Sequence, residues 1–156
     1  MTIATTVLNF LSDKEIGFET VAHPKTYSSA ETASAAHIDD DHIAKTVILK
    51  DEKGYLLAVI PGNHWLDLQR AEDQLDRELQ LAPEDEADKL FPDCQPGAFP
   101  PLGPAYGLDS ILDEDLTSLA RIYFEAGDHK QLIAVTREQF LSLMKGIRQG
   151  HFSQVD

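Results

Sequence analysis

A single cysteine, Cys94, stands among the 156 residues of this chain. No intramolecular disulfide framework can form, and nothing in the thiol content argues for an oxidising compartment. Long apolar runs are missing too: no stretch approaches the roughly 18 residues that a membrane-spanning helix needs. The opening MTIATTVLNFLSDKE has no basic region ahead of its apolar positions and no small-residue cleavage site, so no signal peptide is expected. A cytoplasmic protein without a membrane partner is the expectation. Basic residues are scarce, 13 against 27 acidic ones, and the net charge is −14. Such a surface repels polyphosphate at long range, so unaided binding to a nucleic-acid duplex is disfavoured and DNA is not expected as a partner. The acid is spread over presumed helices (Asp73, Asp76, Glu78, Glu84, Asp85, Glu86, Asp88) and not gathered in a tail, as suits a solvated surface.

Several motifs are absent. There is no GxSxG, P-loop or GxGxxG, so hydrolases with a nucleophile elbow and nucleotide motors lose support. The six histidines contain neither HxH nor HExxH, and Asp39-Asp40-Asp41 lacks the alternation of a calcium loop. No metal and no cofactor are expected. Cys94 follows Asp93 with no basic neighbour in sequence, which suits a structural thiol better than a nucleophile.

At 42% hydrophobic, the chain is long enough to bury one core unaided. Val7, Leu8, Leu11 and Ile16 at helical spacing, with Gly17 behind them, predict a first helix over 4–14. Residues 18–23 alternate up to Pro24 as a strand, and Ser28 and Ser29 ahead of an alanine-rich run open a short helix over 28–37. The runs TVILK and YLLAVI flank Asp51-Glu52-Lys53-Gly54 and predict a hairpin over 45–61. Its strands are almost continuously apolar, so it should sit centrally and be covered on both faces. Acidic helices over 67–79 and 84–91 would supply that cover. Five prolines and three glycines between 92 and 107 impose a rigid irregular loop. Short apolar segments follow at 110–112, 121–124 and 132–135, and Thr136 and Gln139 form a capping-box pattern for a last helix through Lys145. The expected architecture is α+β: one domain over 1–148, a central, mostly antiparallel or mixed sheet surrounded by helices, and a frayed tail at 149–156.

Three separated patches carry the chemistry. Lys45 opens an apolar strand, where a nearby low-dielectric interior would strengthen its pull on a phosphate or carbonyl oxygen. Alternatively its stem lies along the sheet while the ammonium reaches water. In Gly97-Ala98-Phe99-Pro100-Pro101, glycine admits close backbone approach and the prolines preorganise the donors, or the segment is an ordinary rigid connection. Phe99 would line a pocket or belong to the core. Gly127-Asp128-His129 offers an imidazole for hydrogen bonding or acid/base work, or a locally bonded turn histidine.

In order along the chain, these patches resemble the YbaK/EbsC/ProX family, the domain that also occurs as the editing insertion of bacterial prolyl-tRNA synthetases. The resemblance rests on Ala44-Lys45-Thr46-Val47-Ile48-Leu49, Ala58-Val59-Ile60-Pro61-Gly62, Gly97-xxx-Pro101, Asp113-Glu114 and Ala126-Gly127-Asp128-His129, and spans about residues 5–145. It implies a trans-editing aminoacyl-tRNA deacylase that removes a mischarged small amino acid (alanine, cysteine or serine) from the 3′-terminal adenosine. It further implies substrate-assisted chemistry without an attacking side chain. By position, Lys45 would hold the terminal phosphate or scissile region, the Gly97 backbone would orient the amine and carbonyl, and His129 would lie near the side-chain pocket. Thr46, Ala98, Phe99, Pro100, Pro101, Gly127 and Asp128 would contribute to substrate binding. The expected partner is the aminoacyl-tRNA acceptor end; given the acidic surface, either contact is limited to that end or an aminoacyl-tRNA synthetase partner delivers the tRNA. Two other classes stay open: a non-catalytic aminoacyl or amino-acid binding or regulatory module on the same fold, and a small-molecule esterase.

Overall fold

The computed structural model of the protein describes residues 3–26 and 28–155. In chain order the elements are α1 (Thr5–Asp13), β1 (Glu19–Ala22), α2 (Ser29–Ala36), β2 (Ala44–Asp51), β3 (Gly54–Pro61), β4 (His64–Leu66), α3 (Leu68–Leu75), β5 (Gln80–Leu81), α4 (Glu84–Leu90), β6 (Asp109–Asp113), β7 (Arg121–Glu125), β8 (Gln131–Thr136), α5 (Arg137–Leu143), β9 (Arg148–Gly150) and β10 (Ser153–Val155). Short 3-10 turns occupy Asp40–His42, Gly103–Tyr106 and Glu114–Leu116.

The predicted hairpin forms, with Lys45 opposite Ile60 and Asp51 opposite Gly54 in antiparallel register. It lies at the heart of a five-stranded sheet ordered β5-β2-β3-β6-β9. Both faces of β3 are covered, as its unbroken apolar run requires: Leu56, Ala58 and Ile60 pack with Ala71 of α3, while Leu57 packs with Ala87 of α4 and Phe91. The sheet is mixed, since β6 runs parallel to β3 and β9 parallel to β6. Parallel neighbours cannot be joined by a tight turn, and residues 62–108 form the crossover between β3 and β6.

The expected α+β architecture with a central mixed sheet is present, and two smaller sheets accompany it. A three-stranded antiparallel sheet, β1-β8-β7, stands beside it, and β10 pairs with β4 in a third. In β7 the buried residues Ile122 and Phe124 alternate with half-buried Arg121, Tyr123 and Glu125. That strand therefore has one core face, packed with Val7 and Leu11 of α1 and Phe140 and Leu143 of α5. A parallel bridge between Ile43 and Tyr123 joins the two larger sheets. No helix among the described residues is long and apolar enough to cross a membrane.

Two expectations need correction. Residues 149–155, expected to fray, carry paired strands: β9 pairs with β6 and β10 with β4, so the boundary at 148 falls inside the fold. Phe152 is 2% exposed in the cluster with Leu56, Ala58 and Ile60. The Asp113 carboxylate accepts hydrogen bonds from Phe152 N at 3.3 Å and Ser153 Oγ at 2.6 Å, anchoring the tail to the end of β6. Of the tail expected at 149–156, only Asp156 lies outside the described residues. The helix expected over 67–79 ends at Leu75, because Asp76 takes a left-handed conformation (φ 53°) and closes it.

Candidate functional site

A cleft of about 410 Å³ opens where the two larger sheets meet. The start of β2 contributes Ala44, Lys45 and Thr46, the end of the hairpin Gly62, and the first turn of α2 Ser28, Ser29, Ala30 and Thr32. Thr26, Ile43, Gly97, Phe99, Glu125 and His129 complete the wall. The three sequence-distant patches therefore converge. Gly62 makes this possible, since a Cβ there would fall 2.5 Å from the Asp40 carbonyl oxygen and 3.1 Å from Ser29 Cβ. Only glycine lets the hairpin end come this close to the start of α2.

Lys45 is held in place at this wall. Its ammonium donates to the carbonyls of Gly62, at 3.4 Å, and His64. Those bonds fix the position of the cation. Thr46 Oγ1 donates to the Phe99 carbonyl at 3.1 Å, tying β2 to the proline loop. The Phe99 ring stacks on Phe91 with centroids 4.7 Å apart, so its face contributes to both pocket and core.

Gly97 has φ +80°, a left-handed conformation that explains the glycine. Gln95 N donates to the Gly127 carbonyl at 2.8 Å, linking the loop to the turn after β7. His129 Nε2 lies 2.6 Å from the Pro96 carbonyl. A carbonyl only accepts, so Nε2 carries the hydrogen of that contact. A second cleft, of about 590 Å³, shares Thr46, Gly97, Phe99 and His129 with the first and is walled beyond them by apolar residues, Val47, Ile48, Leu81, Ala82, Ala87 and Pro96, together with the acids Glu84 and Asp88.

Five of the residues singled out in the sequence line neither cleft: Ala98, Pro100, Pro101, Gly127 and Asp128. Ala98, Pro100 and Pro101 are buried behind the loop. A Cβ on Gly127 would meet Ala4 Cβ at 3.0 Å and Cys94 Sγ at 3.2 Å. Asp128, 1% exposed, accepts from Lys130 N, Gln131 N and Gln131 Nε2 at 2.9–3.0 Å. Together Gly127 and Asp128 build the turn that presents His129 at φ +60°.

Sequence reasoning missed Glu125. Burial, reinforced by the charge of Asp128, pushes its carboxyl up to about 8, so the acid is largely neutral at pH 7. The signal available was an acid on the second face of a short strand, directly before a glycine turn. Behind it lies the buried His23 ring, with Nε2 3.8 Å from Glu125 Oε1. The hydroxyls of Thr26 and Thr32 were also missed; they lie 2.5 Å apart, and Thr32 Oγ1 donates to the Ser28 carbonyl at 2.9 Å.

Burial pushes the Cys94 thiol up to about 11, which keeps it protonated and weakly nucleophilic at neutral pH. Two groups, Asp39/Asp41/His42 and Asp113/Asp115/His151, hold possible ligand atoms within 4.8 Å of one another. Neither lines the cleft.

Comparison with known proteins follows the same outline. A family model described as an aminoacyl-tRNA editing domain matches residues 23–143. A solved structure described as a "putative trans-editing enzyme for prolyl tRNA synthetase" superposes with a TM-score of 0.82 at 27% identity, over 96% of this chain and 95% of its own. Hypothetical protein APE2540 superposes with a TM-score of 0.84 at 21% identity, over 96% and 99% of the two chains. No curated protein matches.

Proposed function

This chain belongs to the aminoacyl-tRNA editing domain family, and from that membership we propose that it acts in trans, in the cytoplasm, as a deacylase of mischarged tRNA. Its substrate is the ester joining a small amino acid, of the alanine, cysteine or serine class, to the 3′-terminal adenosine. The observation that carries this reading is the convergence of Lys45, Gly97 and His129 on one cleft of about 410 Å³, within the size range of small-ligand sites. The neighbour described as acting for prolyl tRNA synthetase supports it.

An aminoacyl ester is already labile, so a preorganised site needs to supply only several kcal/mol through positioning and fixed dipoles. Lys45, immobilised by two carbonyls, is a fixed positive charge for the terminal phosphate or the oxyanion that develops at the ester carbonyl. The Gly97 backbone orients the ester, and His129 closes the side-chain end. The ribose 2′-hydroxyl beside the ester takes part in its cleavage, so no protein nucleophile is required. Two adjoining clefts suit a substrate of two parts, the aminoacyl group and the adenosine. Size exclusion then sets specificity, at about 1–3 kcal/mol per methylene. With a net charge of −14, contact is confined to the acceptor end, and a synthetase delivers the tRNA.

The test is a panel of Ala-, Ser-, Cys- and Pro-charged tRNAs incubated with the purified protein. Release of a small amino acid over several turnovers, with Pro-tRNA spared, is expected. A panel left intact removes the deacylase, and ligand binding without turnover would select a non-catalytic aminoacyl-binding module in its place.

A further inference from the structure

Within the cleft, one polar group is left without a counterpart. Glu125 Oε2 is buried and has no hydrogen-bond partner among the described residues. Its other oxygen faces only His23 Nε2, at 3.8 Å, beyond hydrogen-bonding distance. His23 Nδ1 lies 2.7 Å from the Pro24 carbonyl and therefore carries a hydrogen, so in the neutral ring Nε2 is a lone pair that offers the carboxylate no donor. Nearby, the Lys45 ammonium donates to the Gly62 and His64 carbonyls, His129 Nε2 faces the Pro96 carbonyl, and Asp128 adds negative charge. The cleft thus has a fixed cation at one place and an uncompensated acid at another.

We propose that Glu125 is the acceptor for the α-ammonium group of the substrate and thereby distinguishes a free aminoacyl ester from an N-blocked one. This rests on the deacylase reading and names the group that recognises one end of its substrate. An aminoacyl ester on a terminal nucleotide carries a positive ammonium and a negative phosphate, and the separate Glu125 and Lys45 poles match that distribution. Asp128 places negative charge behind the Glu125 end of the cleft, so the phosphate belongs with Lys45. Docking of the ammonium replaces the missing partner of Oε2 with a charge-assisted hydrogen bond. It also returns the carboxyl to its ionised form, because the nearby cation favours the anion. The proton held by Glu125 in the empty cleft then leaves to solvent, and binding at pH 7 releases close to one proton. His23 lies on the Oε1 side, at 3.8 Å.

The experiment is calorimetric titration at pH 7, in two buffers of different ionisation enthalpy, with two non-hydrolysable ligands: 3′-alanylamino-3′-deoxyadenosine and its N-acetyl derivative. The free amine should bind at least about tenfold more tightly than the acetylated ligand and release about one proton, since a lost charged contact of this kind is worth a factor of ten or more. In Glu125→Gln the preference should fall toward unity and the proton release should vanish. Equal binding of both ligands by the unaltered protein overturns the proposal without needing the variant, and would instead fit a neutral donor such as a ribose hydroxyl at Glu125. Retention of the amine preference by Glu125→Gln overturns it too. Binding of neither ligand removes it, while the charged-tRNA panel decides separately whether the deacylase stands.

Discussion

Replacing Glu125 with glutamine should stabilise the protein in mildly alkaline solution, although it alters the cleft. In the folded chain the carboxyl is raised to about 8 from the ordinary 4.5, by burial first and by Asp128 second. Between those two values the native state holds a proton that the unfolded chain has released. Stability from this group is therefore complete below about pH 4.5, falls as the pH rises, and levels off above about 8. Each pH unit within the window costs about 1.4 kcal/mol, so an ideal isolated group would lose about 4 kcal/mol between pH 5 and 8. The side chain is 19% exposed at the cleft mouth, and water there reduces the penalty; about half, or ~2 kcal/mol, is a fair expectation. Glutamine has a similar shape and no proton to lose. Urea denaturation of both proteins at pH 5 and pH 8 should show the unaltered protein losing about 2 kcal/mol more than Glu125→Gln over that interval. Parallel losses would refute a carboxyl kept neutral by the cleft, and a greater loss in the variant would reverse the sign of the argument.

Gly62→Ala should cost about 1–3 kcal/mol and slow deacylation, because its Cβ would lie 2.5 Å from the Asp40 carbonyl oxygen and would displace a backbone that holds Lys45; an unchanged melting temperature and rate would contradict this. Phe152→Ala should destabilise by about 3–5 kcal/mol, since the ring is 2% exposed beneath the central sheet. Denaturation measures it directly, and a change under 1 kcal/mol would return residues 149–156 to the status of a dispensable tail.

The hairpin and the helices at either end were legible in the sequence because local signals agree there: an unbroken β-rich run around Gly54, and a capping box at Thr136 and Gln139 that the structure contains. The division into three sheets was not. It depends on which strands meet across the long crossover from β3 to β6, and pairing at such separations leaves no local periodicity. The tail failed for a related reason. Arg148–Gly150 and Ser153–Val155 are three-residue strands whose order comes from Phe152 burial and the Asp113 carboxylate, both distant in sequence. In the site, residues with unusual backbone or position stood out, Gly97 and His129 among them. Ala98, Pro100 and Pro101 were singled out with their neighbours because a motif cannot separate wall from support. Glu125 escaped notice because its character comes from burial and Asp128, and neither is visible from an acid at the end of a strand.

The central claim is that Lys45, Gly97 and His129 form one preorganised cleft that cleaves an aminoacyl ester without a protein nucleophile. Single-turnover deacylation of Ala-tRNA by the unaltered protein and by Lys45→Ala measures it most directly, with circular dichroism confirming that both are folded. A loss of about a hundredfold or more is predicted, the scale expected for removing a fixed charge aimed at a developing oxyanion. A folded Lys45→Ala protein that deacylates at the original rate would contradict the account.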